Sequence, residues 1–128
     1  MPLAEERAEG IHVIRWVASS SVRIDDLEFG RSLLVMPDRV WQDLPARRIA
    51  EIDPNLVQQI LALAPELVLL GTGERQQLAP PALLASFLQH GVGLEAMDNA
   101  AAARTYNLLA FEGRRVAAIL LIDSAASA

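Results

Sequence analysis

The second half of the chain alternates helical and strand-like stretches, and this alternation limits the fold more than any other feature of the sequence. Asp53-Pro54 is a helix-start signal, and apolar residues follow it at helical spacing until Pro65. Residues 67–70 then form a short apolar run closed by Gly71, which is typical of a strand covered on both faces. A helix followed directly by such a strand is a building unit of parallel sheets.

The same order of elements continues to near the end of the sequence. A second helix pattern begins at Pro80-Pro81 and ends at His90-Gly91. The elements predicted after it are a strand over 92–97, a third helix capped by Asp98 or Asn99 and running to about Ala110, and a last apolar strand over 115–122. We therefore predict an α/β domain.

The first half is richer in strand patterns. Strands are predicted over residues 12–18, 22–24, 33–36 and 40–44, with a turn at Asp25-Asp26. A chain of 128 residues fits one domain, 1–128. We expect its ordered core at about 10–122 and flexible ends at 1–9 and 123–128.

Charge and cysteine usage exclude several classes of function. All 11 basic residues are arginines, against 16 acidic residues, so the net charge of -5 leaves no basic stripe for nucleic acid. The absence of cysteine excludes disulfides, thiolate metal sites and a cysteine nucleophile. Neither His12 nor His90 has a partner at metal-ligand spacing, so we predict no metal and no cofactor.

Location in the cell is inferred from two further absences. The longest apolar runs, Val116–Ile122 and Leu67–Leu70, are far shorter than the roughly twenty residues that span a membrane. Residues 1–10 are rich in glutamate and resemble neither a secretory signal nor a presequence. These features predict a cytoplasmic protein with no membrane insertion.

One group of polar residues could line a site. In an α/β sheet, the loops after neighbouring parallel strands meet in a crevice at one edge. We predict such a crevice, for a ligand or a partner, lined by Gly71, Thr72, Gly73, Asp98, Asn99, Arg104, Thr105, Tyr106 and Asn107. Gly71-Thr72-Gly73 is not a nucleotide loop, because no Gly-Lys-Ser/Thr is present and the next helix begins only at Pro80.

The same residues also have a purely structural interpretation. Asp98 would cap its helix, and Arg104, Thr105 and Asn107 would bond to nearby backbone or tie loops together. Both interpretations remain open at this stage.

The polar group also carries a family resemblance over roughly residues 10–122. The sequence resembles a family of small Mth-like α/β domains without an assigned reaction, which includes the mitochondrial complex I assembly factor and an adipogenesis-associated protein. The matching stretches are Leu69–Gly73, Gly91–Asp98, Ala102–Leu109, Glu112–Arg114 and the closing apolar strand. The family often has Thr where this chain has Asn99, and Cys where it has Ala103.

The resemblance implies a three-layer fold of the β+α/β/α type. A central mixed sheet would carry helices packed on one side and a smaller β-rich layer on the other. Because eukaryotic members act in assembly, the first hypothesis is a non-enzymatic protein-interaction or assembly-factor-like module whose partner is another protein. The alternative is a small-molecule-binding protein or modest enzyme, in which Arg104 orients an acidic group and Tyr106 or Asp98 handles a proton.

Overall fold

The computed structural model describes residues 10–123 and contains eight strands and three α-helices within that range. The strands are β1 Ile14–Val17, β2 Val22–Ile24, β3 Leu27–Phe29, β4 Leu33–Met36, β5 Arg39–Gln42, β6 Leu67–Gly71, β7 Gly93–Met97 and β8 Val116–Leu120. The helices are α1 Pro54–Leu61, α2 Pro81–Leu88 and α3 Asn99–Phe111, and a 3-10 turn covers Ile49–Glu51.

The central sheet is mixed and has the strand order β5-β4-β8-β6-β7. Strands β8, β6 and β7 are parallel, whereas β4 pairs antiparallel with both β8 and β5. Strands β4 and β8 are buried along their whole length, and β6 is buried from Val68 onward. Because successive side chains of a strand point to opposite faces, each of these strands supplies two cores.

The two faces of the central sheet carry different layers. On one face, Leu34, Val68 and Ile119 pack in a core with residues of α1 and α2. On the other face, Leu33, Leu69 and Leu120 pack with α3 and with a small antiparallel sheet of order β1-β2-β3. The predicted three-layer α/β fold is confirmed, with one addition: α3 shares the layer of the small sheet instead of joining α1 and α2.

Most predicted elements are confirmed, with small changes of boundary. Strand β3 was missed, because its three residues follow directly on the tight turn at Asp25-Asp26. Asp25 adopts a φ of 54°, a left-handed conformation that lets β2 reverse into β3 in two residues. The predicted flexible ends, residues 1–9 and 123–128, lie outside the described residues except for Asp123.

Candidate functional site

The loops that follow β6 and β7 are joined at the carboxyl ends of these strands. The backbone N–H of Thr72 donates to the carbonyl of Met97 (2.8 Å), and the N–H of Asn99 donates to the carbonyl of Gly73 (2.8 Å). Five of the nine predicted site residues, Gly71, Thr72, Gly73, Asp98 and Asn99, therefore lie together, because the parallel pairing of β6 with β7 aligns Gly71 with Met97.

Asn99 is the centre of this junction. It is 5% exposed, its Oδ1 accepts from the N–H of Gly73 (3.0 Å), and its Nδ2 donates to the carbonyl of Leu121 (2.9 Å). Its amide thus links the loop after β6 to the end of β8. Gly71 makes room for it, because a Cβ at that position would collide with Asn99 Oδ1 and lie 2.9 Å from the carbonyl oxygen of Ile119.

A rim cavity of about 260 Å³ opens beside this junction, where the β1–β2 turn faces the start of α3. Its lining is Val17, Ala18, Ser19, Gly73, Glu74, Asp98, Asn99 and Ala100. Asp98 is the N-cap of α3, and its Oδ1 accepts from the N–H of Ala101 (2.8 Å). The capping role predicted for Asp98 is confirmed, and its carboxylate makes this end of the helix unfavourable for anions.

A second cavity, the arginine crevice, lies next to the rim cavity at the ends of β6 and β8. It has a volume of about 290 Å³, and its lining includes Arg47, Arg48, Arg75, Thr72, Glu74 and Asp123. Ser19, Gly73 and Glu74 line both cavities. One carboxylate oxygen of Asp123 is buried and has no hydrogen-bond partner in the described part of the chain.

Sequence reasoning missed this crevice. Arg47-Arg48 reads as an ordinary solvated pair, and the loop after β5 brings it to Arg75 from a separate stretch of sequence. No spacing or motif in the sequence signals that approach.

The remaining predicted residues lie further along α3, and two of them face away from the crevice. Tyr106 is fully buried, and its hydroxyl donates to the carbonyl of His12 (2.7 Å). Asn107 accepts from the N–H of Ile14 (3.0 Å) and donates to the carbonyl of the same residue (2.8 Å). A single crevice spanning residues 71–107 is therefore not formed, because the helical twist turns Tyr106 and Asn107 toward β1.

The alternative role of Tyr106 in proton transfer also loses its geometric basis. Burial raises the pKa of its hydroxyl, and the negative charges of Asp25 and Asp38 raise it further. Asp25 itself binds His12 Nδ1 (2.7 Å) and the N–H of Val13 (3.0 Å). The hydroxyl of Tyr106 thus stays protonated and fastens α3 to His12, two residues before β1.

Arg104 instead points outward from α3. Together with Ala100, Leu108 and Phe111 it forms an exposed line along the helix, here called the outer stripe. Leu108 is 60% exposed and Phe111 is 52% exposed. The outer stripe begins at the rim cavity, since Ala100 belongs to both.

Among residues 10–123, no three His, Asp or Glu side chains are placed so that they could hold a metal ion.

Two relatives with known names have similar sequences. A protein of Francisella tularensis subsp. holarctica named 13 kDa major membrane protein is 37% identical over 123 residues, which is 94% of this chain and 99% of that protein. The Bos taurus NADH dehydrogenase (ubiquinone) 1 alpha subcomplex assembly factor 3 is 38% identical over 56 residues, which is 44% of this chain and 30% of that protein.

Two solved bacterial proteins have the same fold. A Xanthomonas campestris protein matches with a TM-score of 0.81 and 41% identity, covering 95% of this chain and 92% of its own. A Bordetella pertussis protein described as a Mth938-like domain matches with a TM-score of 0.77 and 33% identity, covering 96% of this chain and 93% of its own.

Fold and site together define a small three-layer α/β domain with two adjacent cavities at the carboxyl ends of its parallel strands. Residues 14–121 match the family described as "Protein of unknown function (DUF498/DUF598)", and the chain belongs to that family. The predicted Mth-like family, with an assembly factor among its members, is confirmed.

The prediction of a cytoplasmic protein is wrong. The relative that is 37% identical over nearly the whole chain is named a major membrane protein. The prediction relied on two absences, that of a membrane-spanning segment and that of a targeting signal. Neither absence determines the location of a protein in the cell. Across residues 10–123, no helix has both the length and the apolar character needed to span a bilayer.

Proposed function

We propose that this chain is a non-enzymatic protein-interaction module of the assembly-factor kind. Its contact surface would start at the rim cavity, with Gly71–Gly73, Asp98 and Asn99, and continue along the outer stripe through Arg104. The partner would be a protein that is being assembled into a larger complex.

The observation that carries this proposal is the exposure of Leu108 on the outer stripe. An apolar side chain of this size, 60% exposed beside Arg104 and Phe111, gives α3 the mixture of apolar and arginine contacts common at protein interfaces. The rim cavity at the start of the same helix extends this surface with a concave end.

Two further points favour an interaction module over an enzyme. The hydroxyl of Tyr106 and the carboxylate of Asp98, which the enzyme hypothesis needs for proton transfer, are both engaged in structural hydrogen bonds. The similarity to a protein named as an assembly factor points in the same direction, although this chain spans less than a third of that protein's length.

Co-purification from the native organism, with the tagged chain at its natural expression level, tests the proposal. We expect one protein species to be recovered in a fixed ratio with the parent chain and to be lost with Leu108→Arg, because a charge at the centre of an apolar contact must be buried without a partner.

Leu88→Arg is the matched control. Leu88 is 62% exposed but lies at the end of α2, on the opposite side of the central sheet. Recovery of the same species by Leu88→Arg, with an unchanged melting temperature for both variants, would support the proposal. The proposal would be contradicted if Leu108→Arg recovered as much of the partner as the parent chain does. It would also be contradicted if the parent chain recovered no partner.

A further inference from the structure

The arginine crevice holds an excess of positive charge in an acidic chain. Arg48 is matched by carboxylates, since its guanidinium lies 3.7 Å from Glu51 and 3.6 Å from Asp123. Arg47 and Arg75, by contrast, make no side-chain ion pair within residues 10–123. Two arginines that line one cavity are therefore without an ion-pair partner among the described residues and are available to an anionic group from outside the chain. The backbone N–H of Arg47 and, less strongly, its charge also act on Glu51, whose pKa they lower.

The backbone that carries Arg75 is held in place by Thr72. The buried Oγ1 of Thr72 donates to the carbonyl of Arg75 (2.6 Å) and accepts from the N–H of Gln77 (3.1 Å). These bonds fix the loop between β6 and α2, although every residue from Glu74 to Leu78 is exposed.

The backbone that carries Arg47 is held in a similar way from the opposite wall. The N–H of Arg47 donates to Glu51 Oε1 (2.7 Å), and the 3-10 turn Ile49–Glu51 starts directly after Arg48. Because the backbone of both walls is hydrogen-bonded within the chain, binding between them would lose little backbone conformational entropy.

The place of the crevice in the fold also favours a binding site. It lies at the carboxyl ends of β6 and β8, which are parallel neighbours in the central sheet. This is the end of an α/β sheet at which ligands generally bind. The crevice lies beside the rim cavity, and Ser19 and Gly73 line both.

We propose that the arginine crevice binds side-chain carboxylates from an acidic segment of the partner protein, an inference that rests on the proposed function. Guanidinium groups pair with carboxylates through two parallel hydrogen bonds. A singly charged carboxylate suits the crevice better than a phosphoryl group, because the three arginines and two carboxylates that line it leave one net positive charge, which one carboxylate neutralises and a dianion would exceed.

A titration of the ¹⁵N-labelled full chain with acetylated tetraglutamate peptide, followed by NMR at constant ionic strength, tests this proposal. We expect saturable shifts at the Nε–H groups of Arg47 and Arg75 and at the amides of residues 72–77. Arg47→Ala or Arg75→Ala should weaken binding about tenfold, since each removes a charge-assisted hydrogen-bond donor.

Two controls separate a specific site from general attraction. Arg31→Ala should leave the affinity unchanged, because Arg31 lies outside the crevice with a side chain that is 81% exposed. Tetraglutamine that is acetylated and amidated at its ends, and so has the same length and no charge, should produce no shifts.

Several outcomes would overturn the inference. Shifts at Arg47 and Arg75 with inorganic phosphate but not with tetraglutamate would assign the crevice to a phosphoryl group. Equal weakening by Arg31→Ala and Arg75→Ala would mean non-specific attraction.

The proposed function can fail or stand independently of this inference. A co-purified partner that is lost with Leu108→Arg but retained by the Arg47→Ala/Arg75→Ala double variant would keep the proposed function and overturn the inference. Specific tetraglutamate binding with no recovered partner would support the carboxylate selectivity of the crevice and overturn the proposed function.

Discussion

Gly71 and Asn99 form a closely fitted pair at the junction of β6, α3 and β8. The side-chain amide of Asn99 is satisfied at both ends, by the N–H of Gly73 and by the carbonyl of Leu121. The space that it occupies exists because residue 71 has no Cβ. Residues 71 and 99 are thus matched in size as well as in hydrogen bonding.

Gly71→Ala should lower the free energy of unfolding by about 1–3 kcal/mol, the usual cost of overpacking a core site. The added methyl group would meet Asn99 Oδ1 and would lie 2.9 Å from the carbonyl oxygen of Ile119, which is backbone and cannot rotate away. Urea unfolding of the parent chain and of the Gly71→Ala variant measures the difference in the free energy of unfolding.

Gly30→Ala is the control for this measurement. A Cβ at Gly30 would have the carbonyl oxygen of Ser20 as its nearest neighbour, at 3.9 Å, so stability should change little. A Gly71→Ala variant as stable as Gly30→Ala would show that the junction can expand without cost.

Among the secondary-structure elements, α3 does the most to unite the two sheets. Its inner face consists of Ala102, Tyr106 and Ala110, all buried against the central sheet. The small alanines bring the helix close to the sheet, and Asn107 reaches from its flank to Ile14 in β1. The helix therefore fixes the position of the small sheet.

Asn107→Ala should lower the free energy of unfolding by about 1–3 kcal/mol, because it leaves the N–H and carbonyl of Ile14 without their partners. Hydrogen exchange at the Ile14 amide should accelerate more than exchange in β6. Uniform acceleration across all strands would contradict a local role for this side chain.

The elements of the second half are predictable because local signals mark their ends. Asp53 and Asp98 both cap helices as predicted, and Gly113, with a φ of 85°, follows the end of α3. Trp16 shows the limit of such reasoning. Large aromatic side chains in strands usually pack in the core, but Trp16 is 41% exposed, because a bulge between Ile14 and Trp16 turns its side chain to the outer face.

For the molecule as a whole, two ion pairs lie at the end of the central sheet where β6 and β8 begin, Arg114 with Glu66 and Arg115 with Asp38. A hydrogen bond from the backbone of Arg115, together with the Arg114 side chain, lowers the pKa of Glu66. At Asp38, desolvation opposes the shift, but the hydrogen bond and charge of Arg115 outweigh it and lower the pKa of the carboxyl group.

These pKa shifts predict loss of stability in acid. A carboxyl group whose pKa is lower in the folded chain stabilises the fold above its unfolded value, here 4.5 for Glu66. That contribution is lost as the pH falls through the folded value. The free energy of unfolding should therefore decrease between about pH 5 and pH 3, and Glu66→Gln should make this decrease shallower.

Glu112→Gln is the matched control for the acid measurement. The carboxylate of Glu112 makes no ion pair within residues 10–123, so the slope of stability against pH should match that of the parent chain. The role assigned to Glu66 would be contradicted if the free energy of unfolding of Glu66→Gln fell with decreasing pH as steeply as that of the parent chain and of Glu112→Gln.

The candidate site is only partly predictable from sequence, and the reason lies in the tertiary fold. Loops after paired parallel strands must meet, so the approach of Gly73 to Asn99 follows from recognising β6 and β7 as neighbours. The approach of Arg47 to Arg75 depends on the path of the chain after β5, which no local pattern encodes.

The bonds between Asn107 and Ile14 also restrict how this domain can polymerise. Main-chain groups at a sheet border can recruit a foreign strand, and those of Ile14 are already occupied by a side chain of the same molecule. Growth of the small sheet by strand addition is thereby directed to its opposite border, at β3. Loss of the asparagine would leave the main-chain groups of Ile14 free to pair with another chain.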